Sequence, residues 1–362
     1  MKKGSIRQQK VETVGIDLGD KSSQVCALNA AGEVVWEGSI ATTKKALLQT
    51  FGALARCRIA LEVGTHSPWV SRLLKQLGHE VFVANARQVR LISQSSRKTD
   101  KVDARMLARL ARIDPELLRP IRHRSEQAQM HLMTIRMRAD LVETRTALVN
   151  STRGFTKSVG QRLPKCATCQ WDVEHLDTIA LPPELRDTLA PLIAVVEVLN
   201  AQIAAADGKI EQIARDHYPE TQLLTQISGV GTLIALTFCL TVDDRNRFRK
   251  SRDVGCFLGL RPKRSQSGKS DPQLRITKEG DRYLRALLVQ GAHRILSRTS
   301  PDTDLKRWGL KLAGRGGKNA KKRAIVAVAR KLGILLHKLW VTGEAYEPLR
   351  QAEIRQPQKK AA

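Results

Sequence analysis

The chain has 362 residues, 62 of them Lys or Arg and 35 Asp or Glu, giving a formal net charge of +27 and an isoelectric point near 10.4. That length carries two or three domains with a sizeable core, and that charge calls for a polyanionic partner, because each phosphate neutralised by a cation releases a condensed counterion. Six scattered cysteines (Cys26, Cys57, Cys166, Cys169, Cys239, Cys256) argue against a secreted disulfide scaffold; no uninterrupted apolar run reaches about 18 residues and "MKKGSIRQQK" leads into no apolar core, so neither a membrane span nor a signal peptide is expected.

Residues 11–95 alternate strand and helix patterns. "TVGIDLGD" predicts a buried strand closed by Asp17. "SSQVCALNA" and "GEVVWEGSI" flank an Ala-Gly turn as a hairpin does, and "CRIALEVG" predicts a second buried strand closed by Glu62. A helix follows in "WVSRLLKQLG", then the strand "HEVFVANA". A hairpin meander followed by alternating strands and helices predicts a mixed α/β sheet. Beyond residue 96 the pattern is helical, beginning with "RKTDKVDARMLARLA".

Two seams then repeat in steps of three and four: Leu132, Ile135, Ala139, Val142, Thr146 and Val149, and Leu189, Leu192, Val196, Leu199, Ile203, Ala206, Ile210 and Ile213. They predict two long helices with a coiled-coil seam, paired with each other or with a second subunit. Between them "CATC" has the spacing of half a zinc site, but no second pair follows, and zinc is not expected. The region from about 220 to 345 opens with "LLTQISGVGTLIALTFCL". Its "ISGVG" resembles a helix-hairpin-helix turn, in which the N–H groups of Gly229 and Gly231 hold a phosphate; a plain glycine turn between packed helices is the alternative. The last helix, "KKRAIVAVARKLGILLHKLW", is amphipathic with a basic outer face, and the tail "RQPQKKAA" reads as disordered.

Asp17 and Glu62 each close a buried strand. If those strands are neighbours, both carboxylates leave the sheet at one edge, and Asp100 and Asp103, three apart on a helix, complete the cluster. Four gathered carboxylates repel one another unless a divalent cation joins them, and hard oxygen ligands suit Mg²⁺ or Mn²⁺. The plain alternative makes Asp100 and Asp103 first-turn carboxylates favoured by the helix dipole.

"VGIDLGDKSS", "ALEVG" and "RKTDKVDARMLARLA", in this order and spacing, resemble the RuvC-like DEDD domain of the IS-one-ten insertion-sequence transposases, whose relatives include the Piv and MooV DNA invertases. "QISGVGTLIAL", "FLGLRPKRSQSGKSDPQLRITKEGDRYLRALLVQGA" and the closing basic helix resemble the C-terminal domain of the same family. The resemblance implies a RuvC-like, ribonuclease H-like α/β domain over 11–125, a helical coiled-coil region over 126–218 and a mainly α-helical transposase domain over 219–345. It places the DEDD set on Asp17, Glu62, Asp100 and Asp103 and a nucleophilic serine on Ser267, rather than Ser265 or Ser270 of the same polar loop. Lys278 and Arg282 are further candidates for nucleic-acid contact. Mg²⁺ (or Mn²⁺), donor and target double-stranded DNA, a non-coding bridge RNA, and a dimer that assembles into a tetramer are the implied cofactor and partners, in a bacterial cytoplasm at the nucleoid. Two competitors are a junction resolvase-like nuclease using only the DEDD site and water, and a non-catalytic nucleic-acid-binding protein.

Overall fold

The computed structural model describes residues 6–85, 99–165, 167–272 and 274–350; Cys166 and the "RQPQKKAA" tail lie outside the described residues. The chain forms two compact units, residues 1–123 and 124–362.

The first unit is built on strands β1 (Thr13–Asp17), β2 (Ser22–Leu28), β3 (Val34–Ala41), β4 (Arg58–Glu62) and β5 (Glu80–Ala84), in the order β3-β2-β1-β4-β5. The expected meander forms the antiparallel half, β1 with β2 and β2 with β3; β4 then pairs parallel to β1, and β5 parallel to β4. Helices α1 (Lys44–Phe51), α2 (Ser67–Gln76) and α3 (Asp100–Ile113) complete the unit. Alternation along the strands divides its core in two. Val14, Ile16, Ile59 and Leu61 pack with Leu47 and Phe51 of α1 and Val70 and Leu74 of α2. On the opposite face Ala60 and Ala84 pack with Leu107, Leu110 and Ala111 of α3, while Cys26 and Leu28 pack with its Ala104 and Ala108.

The second unit is helical: α4 (Glu126–Ser158), α5 (Pro183–His217), α6 (Glu220–Leu224), α7 (Thr232–Val242), α8 (Val254–Phe257), α9 (Arg282–Ile295), α10 (Asp304–Ala313) and α11 (Ala320–Thr342). The two long predicted helices are present and pair within the chain. Arg138 donates to Asp207 at 2.6 Å and Arg145 to Asn200 at 2.8 Å, so rising numbers on α4 meet falling numbers on α5 and the pair is antiparallel. On α5 Leu189, Val196, Ile203, Ala206, Ile210 and Ile213 are buried as the seam requires, with Leu192 and Leu199 half-buried. On α4 the seam holds at Leu132, Ile135 and Val149, but Ala139 and Val142 are half-buried and Thr146 is exposed. A continuous heptad seam is therefore not seen on α4. By length and composition α5 is apolar enough to cross a membrane; Asn200 and Asp207, bonded to α4, place polar pairs along its packed side.

The remaining helices wrap one core, in which Phe238, Leu258, Leu284, Leu288, Val328, Leu332 and Leu336 are buried. Ser125 caps α4, and its N–H and hydroxyl both donate to the Asp243 carboxylate, at 2.9 and 2.7 Å. Asp281 caps α9, accepting from the Leu284 N–H at 2.8 Å, and pairs with Arg136 and, at 3.9 Å, with Arg124.

Candidate active site

Asp17 is the last residue of β1 and Glu62 the last of β4, and the register Ile16 to Leu61 makes them next neighbours at the same end of two parallel strands. Alternation sends both toward the α3 face, since Ile16 and Leu61 go to the other side. Both are half-buried. Helix α3 lies directly on β1 there. A Cβ added to Gly15 would stand 2.0 Å from the Ala104 carbonyl oxygen and 2.5 Å from the Ala108 nitrogen, so only glycine lets the helix backbone come this close. Asp103, the residue before Ala104, is consequently buried beneath the helix, at 6% exposed.

Further bonds fix α3. The Glu37 carboxylate on β3 accepts two bonds from the Arg105 guanidinium, each 2.8 Å. That pairing holds the Glu37 carboxyl below its usual range, and burial, aided by Glu37, pushes the Cys26 thiol up to about 12. Arg58 donates to the Ala111 carbonyl at 3.0 Å and Arg112 to the Ala30 carbonyl at 2.8 Å.

Asp100 parts from Asp103. It is the first residue of α3, after the N-cap Thr99, and is exposed. Its position suits the helix dipole, the plainer of its two readings. The structure thus places Asp17 and Glu62 side by side at the ends of β1 and β4 and buries Asp103 on the helix packed over β1, while Asp100 is exposed. The donors are all carboxylate oxygens, the chemistry that Mg²⁺ or Mn²⁺ prefers. As placed, no three His, Cys, Asp or Glu side chains among the described residues are close enough to share one metal ion.

Ser267 lies in the other unit, at the tip of an exposed arm. The sequence reads this stretch as a polar loop, but paired backbone crosses it: Lys263 bonds to Arg275 at 2.8 Å, Thr277 to Arg261 at 3.0 Å, and Ser267 and Ser270 to each other at 3.0 and 2.9 Å. Gly268, first in the two-residue turn, has φ +55°, as a tight hairpin turn of the II′ type requires. Arg261, Lys263, Arg264, Lys269, Arg275 and Lys278 are exposed along or beside the arm. Its root is pinned where Arg285 donates to the carbonyls of Leu258 and Glu279, at 3.0 and 2.7 Å. Lys278 bonds through its N–H to the Gly259 carbonyl at 3.0 Å, and Arg282 opens α9; both side chains reach solvent.

The "ISGVG" turn joins α6 to α7. Gly229, at φ +88°, faces α9 so closely that a Cβ would stand 2.9 Å from the Gly291 carbonyl oxygen, the packing alternative for that glycine. Gly231 is exposed at the start of α7. Sequence reading missed the Gly15 notch and the Arg105–Glu37 fork; the small residues of "DARMLARLA" at Ala104, Ala108 and Ala111 were the available signal for a close helix.

Carboxylates at the edge of a mixed sheet, with a basic helical unit in the same chain, define a class of DNA-recombining enzyme once compared with known proteins. Residues 14–159 match the DEDD transposase domain of the IS110 type, and residues 221–306 match the Transposase IS116/IS110/IS902 family. The chain belongs to the IS110 family of insertion-sequence transposases. It is 27% identical over 353 residues to the transposase for insertion sequence element IS1111A of Coxiella burnetii, covering 95% of this chain and 94% of that protein. It is 28% identical to a family 20 transposase of Pseudomonas aeruginosa (92% and 98% covered) and 28% identical to the transposase for insertion sequence element IS1328 of Yersinia enterocolitica (80% and 85%).

Proposed function

We propose that this transposase cuts and rejoins DNA through a phosphoserine intermediate formed at Ser267, with the carboxylates of a RuvC-like domain holding Mg²⁺. The observation that supports it is that Asp17 and Glu62 end neighbouring parallel strands at the same side of the sheet, while Asp103 is buried on the helix that the Gly15 notch lets lie against β1. The strand order and directions support the RuvC-like reading of the first unit. A divalent cation bound by these carboxylates, with Asp100 approaching from the helix start, would supply charge neutralisation at the scissile phosphate. The exposed arm presents Ser267 among cations that attract the DNA backbone. In the step itself the Ser267 Oγ forms a bond to phosphorus, one bridging P–O bond breaks, and the displaced sugar oxygen leaves as a hydroxyl, taking up a proton equivalent to the one lost by the serine. The phosphodiester energy is kept in the serine ester, so rejoining needs no external energy source.

The same reading includes a bridge RNA that selects donor and target duplexes, a dimer that assembles into a tetramer, and a cytoplasmic site of action at the nucleoid. Family membership and the charge of +27 support the RNA. Exposed Met130, Met133 and Met137, at steps of three and four on α4, supply apolar surface suited to a second subunit. The test is amide replacement: Asp17→Asn, Glu62→Gln and Asp103→Asn should abolish cleavage, weaken Mn²⁺ binding measured by electron paramagnetic resonance, and leave DNA binding intact. Wild-type cleavage by Glu62→Gln or Asp103→Asn would overturn the site.

A further inference from the structure

Residues 245–252, "RNRFRKSR", place five cations in eight positions just after α7. A charge run of this kind is ordinarily a mobile solvated loop, but here the backbone is held from beneath. His337 of α11, 1% exposed, spends both ring nitrogens on the loop: Nε2 bonds to the Arg245 carbonyl and Nδ1 to the Ser251 hydroxyl, each at 3.0 Å. Burial holds the His337 imidazole below its usual range, so it stays neutral, with one nitrogen donating and the other accepting. Phe248 packs edge-on against His337 with ring centres 5.6 Å apart, and against Phe257 at 5.3 Å. Arg247 lies over the Phe257 ring at 4.8 Å.

The outer side of this fixed loop is cationic. Arg249, Lys250 and Arg252 are exposed, and among the described residues none is engaged by a carboxylate. The carboxylate of Asp244, at the loop's entry, takes the Asn246 N–H at 2.9 Å. Phe248, the segment's one aromatic ring, is spent on internal packing against His337 and Phe257, so the loop offers cations and no platform for stacking on a base. Such a surface suits the phosphate backbone of a duplex and carries no sequence information. Only the short helix α8 separates it from the root of the serine arm.

The geometry points to residues 245–252 as a preformed, sequence-independent clamp for the backbone of duplex DNA, gripping the DNA that the Ser267 arm engages; this rests on the reading of the chain as a DNA-cutting transposase. The binding energy of a loop already ordered is not spent on ordering it, so its cations count in full.

The test is the full-length triple variant Arg249→Gln/Lys250→Gln/Arg252→Gln, which alters exposed side chains only, compared with wild type for binding a 30-base-pair duplex over a range of salt. Three lost phosphate contacts should flatten the log–log slope by about 2.7, from about 0.9 per contact on B-DNA. The change should be equal on duplexes of unrelated sequence. An unchanged slope, with wild type binding normally, overturns the clamp while leaving the transposase reading intact. A change confined to a structured RNA probe overturns its assignment to DNA. Wild type that binds no duplex overturns the transposase reading itself.

Discussion

Gly15→Ala adds one methyl group where the structure leaves no room. The new Cβ would meet the Ala104 carbonyl oxygen at 2.0 Å and the Ala108 nitrogen at 2.5 Å, both backbone atoms of α3. An ordinary carbon–oxygen contact needs more than about 3 Å, so the helix must retreat by roughly 1 Å, and overpacking of this kind costs about 1–3 kcal/mol. Arg105–Glu37 and the Arg58 and Arg112 carbonyl bonds resist the retreat, which favours the upper part of that range. In a unit of this size the melting temperature should fall by about 4–15 °C. Asp103 moves with the helix, and a displacement of about 1 Å at a reacting site costs on the order of 100-fold in rate. The measurements are a thermal melt and the cleavage rate of a DNA substrate at a temperature where the variant is fully folded. Wild-type cleavage and an unshifted melt would refute the notch as the device that places Asp103.

Replacing Asp281 with Ala removes the α9 cap and the carboxylate that pairs with Arg136 and faces the part-buried Arg124, whose guanidinium burial already pulls below its usual range. The loss should be about 2–4 kcal/mol by denaturant titration, with Asp281→Asn recovering the cap share of about 1 kcal/mol. His131 stacks on His217 at 5.0 Å and bonds to the Tyr218 hydroxyl at 3.1 Å; burial first, then His217 and Lys209, hold its imidazole below the ordinary 6.5. A depressed imidazole stabilises the fold above pH 6.5 and loses that contribution as pH falls through the folded value, so His131→Gln should flatten the acid side of the stability profile between about pH 7 and 5. An equally steep profile in the variant would remove His131 as the cause.

Much of the first unit is legible in the sequence because its strands are short, mostly apolar runs bounded by turn residues and closed by a carboxylate at Asp17 and Glu62: "TVGID", "SSQVCAL" and "RIALE" appear where expected. Helix α1 is not singled out by such reading; its marks are local, with Thr43 capping it by accepting from the Ala46 N–H at 3.2 Å. The two long helices follow from their heptad steps, but the half-buried middle of α4 does not, since a seam records which residues are apolar and not whether a partner lies opposite. In the candidate site, strand ends fix Asp17 and Glu62. The different fates of Asp100 and Asp103 depend on how α3 is rolled against the sheet, a tertiary fact set by Gly15 and Arg105. The serine arm was hidden because its pairing is carried by backbone bonds among polar residues with no apolar alternation to reveal it.

The most direct measurement is denaturing electrophoresis of end-labelled DNA after incubation with the protein, its RNA and Mg²⁺, scored for a protease-sensitive protein–DNA adduct. Wild type, Ser265→Ala and Ser270→Ala should all form the adduct, and Ser267→Ala should form none while still binding DNA. An adduct from Ser267→Ala, or clean cleavage by wild type with no adduct even when rejoining is blocked, would contradict the phosphoserine mechanism and favour a nuclease that uses water.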